Sequence, residues 1–171
     1  MFAAVLSVID RATRRVFWAL SAVCLAMLGF GVYLQLHNHI EPCPMCIVQR
    51  DALIVIAVLA LLTATSGKKS MHIFGSILLL LGSVFGAFVA ARQSWLQWYP
   101  PETATCGRDF YGMIENFPLS RAIPMIFRGT GDCAVVDWTF LGGSIANWSF
   151  VCFSLFAALS VLILWRKSSR S

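Results

Sequence analysis

The chain has 171 residues, of which 58% are hydrophobic and 12% are charged, and its mean hydropathy is +0.76. This composition excludes a water-soluble single domain, because too few polar side chains are available to cover its surface. The formal net charge of +5 does not indicate nucleic-acid binding, since no basic tract interleaved with aromatic residues accompanies it. We expect instead a protein embedded in a lipid bilayer.

Four apolar segments follow one another along the chain. They cover residues 16–36, 46–65, 71–91 and 146–165, each near the roughly 20 residues that cross a ~30 Å hydrocarbon core as a helix. The first segment is longer than the ~7–15-residue apolar core of a signal peptide and ends without a small-x-small cleavage pattern. The sequence therefore predicts an all-α membrane protein, a four-transmembrane-helix bundle with residues 1–171 in one domain.

Basic residues predict the orientation of these segments. Eight of them precede the first segment, join the second to the third or follow the fourth: Arg11, Arg14, Arg15, Lys68, Lys69, Arg166, Lys167 and Arg170. Lys and Arg are enriched in cytoplasmic loops of membrane proteins. We therefore expect both termini to be cytoplasmic and the loops 37–45 and 92–145 to lie on the opposite side.

The long outer loop is broken by prolines and glycines and contains no apolar run long enough to span a bilayer. Residues 93–99 place aromatic side chains where the third segment meets the lipid headgroups, and residues 122–128 form a candidate amphipathic element. We interpret these aromatics as an interfacial belt rather than as the lining of a cofactor site.

The six cysteines fall into two groups by position. Cys24 and Cys152 lie inside apolar segments, and we interpret them as small buried hydrophobic residues. The other four lie on the predicted outer side: Cys43, Cys46, Cys106 and Cys133. The first two form a Cys-x-x-Cys pair, which is typical of a thiol redox centre, and the last two supply either an exchange partner or a structural disulfide. We predict a membrane-embedded thiol relay.

The residues around the Cys-x-x-Cys pair favour a reactive thiolate at Cys46. Pro42 and Pro44 restrain the start of the second segment and place Cys46 in its first helical turn, at the positive end of the helix. Arg50 follows four residues later on the same face, where its guanidinium can stabilise the thiolate or donate to a carbonyl oxygen of an electron acceptor. The alternative is that Arg50 extends to the interface or pairs with Asp51.

A metal site is a competing interpretation of the same region. His37, His39, Cys43 and Cys46 are close in sequence and are the ligand types of a tetrahedral zinc site. The two prolines restrict the approach of such ligands, and the other two outer cysteines would have no role. We predict no metal, and the sequence shows no haem attachment motif, dinucleotide fingerprint or iron–sulfur spacing.

The same residues carry a family resemblance. The run Glu-Pro-Cys-Pro-Met-Cys-Ile-Val-Gln-Arg at 41–50 is followed by Leu-Gln-Trp-Tyr-Pro at 96–100, Thr-Cys at 105–106, Gly-Asp-Cys-Ala at 131–134 and Trp-Thr-Phe-Leu-Gly at 138–142. In order and in spacing between four segments, these motifs resemble the bacterial disulfide bond formation protein B family, DsbB. The resemblance extends over essentially the whole chain.

The resemblance implies a protein-disulfide:quinone oxidoreductase of the bacterial inner membrane, with its active site on the periplasmic side. Such a protein reoxidises a periplasmic DsbA-type thiol oxidase and passes two electrons to a membrane quinone, ubiquinone or menaquinone. By position, Cys106 is the sulfur attacked by the reduced partner, and Cys133 is the thiol that exchanges with Cys43. Cys46 then donates to the quinone, with Arg50 supporting its charge.

The implied relay needs one disulfide beside the acceptor and another that reaches into the periplasm. We therefore expect two disulfides in the oxidised protein, with the remaining two cysteines free: Cys43–Cys46 and Cys106–Cys133 as the bonds, Cys24 and Cys152 as the thiols.

The chain departs from the family pattern at two places. Gln93 stands where some members have a histidine, so a quinone contact at this position lacks a titratable group. Val135 and Val136 follow the Cys133 motif where a more polar stretch is expected. Two related functions are left open, namely a DsbB paralogue with a dedicated partner and a quinone-linked oxidase of the vitamin K epoxide reductase type.

Overall fold

The computed structural model of the chain describes residues 2–38, 42–100, 124, 131–136 and 138–169, with the side chains of 2–12, 38, 131 and 132 excepted. Its elements in chain order are three long helices, a short helix, a hairpin and a fourth long helix: α1 Phe2–Asn38, α2 Pro44–Thr65, α3 Lys69–Trp98, α4 Gly131–Ala134, β1 Thr139–Phe140, β2 Gly143–Ser144 and α5 Ile145–Ser168.

Each of the four long helices contains one predicted apolar segment and is long and apolar enough to cross a membrane. Their outer faces carry large exposed apolar side chains, as in Leu25, Leu62, Leu81 and Leu155. A surface of this kind suits lipid and not water. The predicted all-α, four-helix membrane bundle is confirmed.

Helix α3 continues beyond the apolar segment at 71–91 and ends at Trp98, just before the Pro100 and Pro101 pair. Proline disfavours helical geometry in the residue that precedes it, so the helix ends where the sequence forbids its extension. The first residues of the predicted outer loop, Gln93 among them, are therefore helical. The predicted amphipathic element at 122–128 lies outside the described residues except for Pro124.

The starts of α2 and α5 are fixed by side-chain caps. Cys43 caps α2, with its Sγ atom accepting a hydrogen bond from the backbone N–H of Cys46, and Pro44 occupies the first turn, where a missing N–H leaves no bond unmade. Ser144 caps α5 by accepting from the N–H of Asn147 at 3.3 Å. Both caps lie at the same end of the bundle as the Cys-x-x-Cys pair.

The helices pack in a row, with α1 against α2, α2 against α3 and α3 against α5, whereas α1 and α5 barely touch. Fully buried Phe17, Ile56, Leu79 and Phe153 form the core. Gly86 of α3 permits the close approach of α5, because a Cβ atom there would lie 2.5 Å from the ring of Phe153. The weak contact between α1 and α5 leaves a gap along one side of the bundle.

Polar contacts tie the basic end of the bundle together. Arg14 Nε donates to the carbonyl oxygen of Ala64 at the end of α2 with a distance of 2.9 Å, and the His72 ring hydrogen-bonds the carbonyl oxygen of Ser66 at 2.8 Å. A cation at a helix C-terminus is favoured by the helix dipole. The basic residues with described side chains that predicted the orientation, Arg14, Arg15, Lys68, Lys69, Arg166 and Lys167, thus lie at one end, and the Cys-x-x-Cys pair lies at the other.

Candidate thiol redox site

Cys43 and Cys46 meet at the start of α2. Their Sγ atoms lie 3.0 Å apart, and both residues are free thiols. The backbone N–H of Cys46 donates to Cys43 Sγ at 3.4 Å. We expected the unpaired N–H groups of the helix start to act on Cys46, whereas the hydrogen bond that forms there is directed at Cys43. The Cys46 sulfur in turn has hydrogen bonds with the Cys43 sulfur and with Gln93.

Cys133 brings a third sulfur to this pair. The short helix α4 packs against α3 and α2, and Cys133 is completely buried in a cluster that includes Cys43 and Met45. Hydrogen bonds of the Cys43 S–H group to the sulfur of Cys133 and then to that of Cys46, together with burial, raise the pKa of the Cys43 thiol. Cys43 is therefore held as a neutral thiol with one sulfur neighbour on α2 and another on α4.

Gln93 of α3 reaches the same sulfurs. Its Nε2 atom donates to Cys46 Sγ at 3.2 Å and to Cys43 Sγ at 3.4 Å, and its Oε1 atom accepts from Gln49 Nε2 at 2.6 Å. Both glutamines are buried, with 4% and 5% exposure for Gln93 and Gln49. Sequence analysis proposed Gln93 as a quinone contact, and it missed Gln49. A polar residue one helical turn after Cys46 in an apolar segment was the available signal.

Arg50 turns toward α1. Its Nη1 atom donates to Gln35 Oε1 at 2.7 Å, and its Nη2 atom donates to the carbonyl oxygen of Gly31 at 3.3 Å. Among the residues that the structure describes, no ion pair joins Arg50 to Asp51, which is exposed. The expected alternative of an Arg50–Asp51 pair is therefore not formed. The guanidinium is instead fixed at the wall of the gap between α1 and α5.

A cavity of 470 Å³ occupies this gap. Cys46, Arg50 and Gln93 line it, and much of the remaining wall is apolar, with Leu34 and Leu53 among its residues. Small-molecule sites in proteins are concave, mostly apolar and of about 300–1,000 Å³, with a few polar groups that orient the ligand. The cavity therefore has the size and lining of a site for a flat, largely apolar ligand next to a thiol.

Aromatic side chains of the hairpin region cover part of the cavity. The rings of Trp138 and Phe140 stack with centroids 6.0 Å apart, Phe30 of α1 meets Trp138 edge-on at 5.6 Å, and Trp148 Nε1 donates to the carbonyl oxygen of Phe140 at 2.9 Å. These four residues line the cavity. The aromatic side chains of the segment 93–99 are more than half exposed and do not line the cavity. These positions agree with their interpretation as an interfacial belt.

Other predicted residues have different positions. Cys24 is fully buried, as expected, whereas Cys152 is half-buried and lines the cavity. Val135 and Val136, where a more polar stretch was expected, also line it. Cys106 lies outside the described residues.

The metal alternative has no geometric support in the described part of the chain. No group of three or more His, Cys, Asp or Glu side chains that could hold an ion occurs there. Its proposed ligand His39 lies outside that part, and His37 stacks on Tyr33 with ring centroids 5.4 Å apart.

The family model described as disulfide bond formation protein DsbB matches residues 13–163. The chain belongs to the DsbB family. Two relatives named disulfide bond formation protein B illustrate the similarity. The protein of Albidiferax ferrireducens is 62% identical over 162 residues, which cover 95% of this chain and 93% of the relative. The protein of Acidovorax sp. (strain JS42) is 67% identical over 158 residues, which cover 92% and 91%. Family membership makes the chain a disulfide-forming oxidoreductase.

Proposed function

We propose that this DsbB-family protein reoxidises a DsbA-type thiol oxidase in the bacterial periplasm and passes two electrons to a quinone of the inner membrane, ubiquinone or menaquinone. The observation that carries the proposal is the placement of three sulfurs around one another. Cys43 hydrogen-bonds both Cys46 and Cys133, and Cys46 also faces the cavity. Disulfide exchange requires such neighbouring sulfurs.

The relay begins at the second cysteine pair. A thiolate of the reduced partner attacks Cys106, forms a mixed disulfide with it and breaks the Cys106–Cys133 bond, so that Cys133 receives the electron pair. The Cys133 thiolate then attacks Cys43. A Cys43–Cys133 bond forms, the Cys43–Cys46 bond breaks, and the electron pair passes to Cys46. The contact between Cys43 and Cys133 supports this second step.

The surroundings of Cys46 suit the end of the relay. Gln93 Nε2 donates to the Cys46 sulfur and stabilises negative charge on it. Arg50 lines the cavity and uses one N–H for Gln35 and one for Gly31, and its other three N–H groups have no partner among the residues that the structure describes. A quinone in the cavity would supply a two-electron, two-proton acceptor and would leave as quinol. The apolar walls and the fixed guanidinium fit a quinone ring and its carbonyl oxygens.

The overall reaction is balanced. The second thiol of the partner attacks the mixed disulfide, which makes the partner a disulfide and releases Cys106. The Cys106 thiolate attacks Cys133, so that the Cys106–Cys133 bond forms and the Cys43–Cys133 bond breaks. Cys43 and Cys46 then re-form their disulfide as their two electrons pass to the quinone, and the two protons that it takes up balance the two that the partner thiols lose. The orientation of the bundle agrees with this assignment, because the basic end predicts the cytoplasmic side and the sulfurs lie at the opposite end.

Purified protein, a reduced DsbA-type partner and a soluble quinone test the proposal when quinone absorbance is followed. We expect quinone loss that depends on the partner and disappears in Cys46→Ala. Cys24→Ala is the matched control, because Cys24 is buried in α1 and lies outside the cavity lining, and it should retain the rate. An absence of partner-dependent quinone reduction would contradict the proposed function. Response to only one of several DsbA-type proteins would identify a paralogue with a dedicated partner.

A further inference from the structure

We propose that Gln49 and Gln93 act as an amide pair that holds a permanent hydrogen-bond donor against the Cys43–Cys46 pair and thereby favours its reduced form. The inference deepens the proposed function and rests on it, because it concerns how readily the relay's inner dithiol accepts electrons. Gln93 contacts the reacting sulfurs directly. Gln49 is a positioning residue that acts through Gln93.

The hydrogen bond between the two amides sets the orientation of Gln93. A glutamine amide carries an acceptor oxygen and a donor nitrogen of nearly equal size, so its direction follows from its partners. Gln49 Nε2 donates to Gln93 Oε1 at 2.6 Å. The Gln93 nitrogen is thereby turned to the sulfurs, with Cys46 Sγ at 3.2 Å and Cys43 Sγ at 3.4 Å.

Burial of both amides makes a change of this orientation energetically costly. Gln49 and Gln93 are 5% and 4% exposed. A buried amide that loses its partner bears the full desolvation penalty of the unpaired group, so each amide of the pair depends on the other. An amide also has no titratable proton, and Gln93 therefore offers its N–H groups at every pH at which the protein folds.

A donor in this position distinguishes the two redox states of the cysteines. Sulfur that bears negative charge accepts a stronger hydrogen bond than sulfur in a neutral disulfide. Gln93 therefore stabilises the reduced pair more than the oxidised pair. In exchange with glutathione, two glutathione thiols become glutathione disulfide while the Cys43–Cys46 bond is broken. The cysteine pair takes up two electrons and one proton, shared between sulfurs 3.0 Å apart, and the second proton passes to the buffer. The amide pair displaces this equilibrium toward the reduced cysteines.

The equilibrium with glutathione buffers measures the effect directly. The full-length protein carries Cys106→Ala and Cys133→Ala in every sample, which removes the second pair. After alkylation, mass spectrometry of the peptide that contains Cys43 and Cys46 gives the oxidised fraction of the inner pair. Gln93→Leu removes the hydrogen-bond donor and keeps a side chain of similar size. We expect an about tenfold shift toward the disulfide, which corresponds to about 30 mV for a two-electron couple.

Gln49→Glu tests the pair without touching a sulfur. The carboxylate is isosteric with the amide but accepts hydrogen bonds only, so it attracts the nitrogen of Gln93 and turns the oxygen of Gln93 to the cysteines. We expect a shift in the same direction and of at least similar size. If the shift came only from looser packing, the apolar replacement Gln93→Leu and the isosteric polar replacement Gln49→Glu would not be expected to shift the equilibrium in the same direction.

Ser94→Ala is the matched control. Ser94 is the buried neighbour of Gln93 on α3, and its hydroxyl has no hydrogen-bond partner within the part of the chain that the structure describes. Its equilibrium should equal that of the parent protein. Circular dichroism and gel filtration in detergent verify the fold of each variant. If Gln93→Leu fails to fold, the glutathione equilibrium of Gln49→Glu alone tests the inference.

An unchanged glutathione equilibrium in Gln93→Leu, or in Gln49→Glu, would overturn the inference. The measurement uses neither quinone nor partner protein, so its result is separate from that of the proposed function. If the wild-type protein fails to reduce quinone with the partner while the two variants still shift the glutathione equilibrium, the proposed function is contradicted and the inference about the amide pair is not. If the wild-type protein reduces quinone with the partner but the two variants leave the glutathione equilibrium unchanged, the proposed function is kept and the inference about the amide pair is contradicted.

Discussion

Replacement of Arg50 by methionine removes the guanidinium from the cavity wall and keeps an unbranched side chain of similar length. Two of the five N–H groups donate to Gln35 and Gly31, and the other three have no partner in the described part of the chain, so we expect them to serve a ligand. A hydrogen bond from a charged donor contributes about 1.5–3 kcal/mol. At about 1.4 kcal/mol per factor of ten, loss of one such bond to a quinone oxygen raises the quinone KM about ten- to a hundredfold.

The assay is a quinone titration with saturating reduced partner, at matched amounts of inserted protein. Insertion itself should be intact, because removal of a charge from a membrane segment eases its transfer into the bilayer. Arg50→Lys should show an intermediate KM, since lysine keeps the charge but loses the planar, branched donor geometry.

Gln35→Leu separates the fixing of Arg50 from its charge. The variant keeps the guanidinium and removes the acceptor that holds Nη1 at 2.7 Å. We expect a smaller rise in KM than in Arg50→Met, because the freed side chain still reaches the ligand but must be ordered on binding. An unchanged quinone KM in Arg50→Met would show that Arg50 only ties α2 to α1 and is no part of the quinone site.

Two further predictions concern the entry of electrons and the packing of the bundle. Cys106→Ala should abolish the mixed disulfide with the partner, whereas Cys46→Ala should still form it, and non-reducing gels of mixtures with reduced partner distinguish the two; equal trapping by Cys106→Ala and wild type would refute the assigned entry point. Gly86→Ala should lower the free energy of unfolding by about 1–3 kcal/mol, because the added methyl meets the buried ring of Phe153. Gly29→Ala, with open space around it, should not lower the midpoint of thermal unfolding in detergent, and equal midpoints for the two variants would contradict the packing argument.

The helical content and the location of the thiols followed from local sequence. A run of about 20 apolar residues has few alternatives to a membrane helix, since only a helix satisfies every backbone polar group within one segment. The Cys-x-x-Cys pair at the start of α2 was also a local pattern, because prolines on both sides of Cys43 fix the beginning of the helix. These features depend on neighbours in the chain and not on the tertiary arrangement.

The contacts of Gln49 and Gln93 could not be obtained in this way. They join residues that are 44 positions apart, so they depend on the register between α2 and α3. The cavity likewise depends on the weak contact of α1 with α5, which no single segment specifies. Sequence analysis therefore identified Arg50 as a functional residue but not its attachment to Gln35, and it assigned Cys152 to a buried position although the side chain lines the cavity.

The arrangement of the sulfurs gives the proposed relay a direction. In disulfide exchange, the sulfur that best carries negative charge leaves most readily. Hydrogen bonds to the sulfurs of Cys133 and Cys46, together with burial, raise the pKa of the Cys43 thiol, so Cys43 holds negative charge poorly. Exchange at Cys43 therefore sends the electron pair to a neighbour. Cys133 is enclosed in an apolar cluster, whereas Cys46 faces the Gln93 donor and the cavity that holds Arg50, so the charge is best accommodated at the end of the relay.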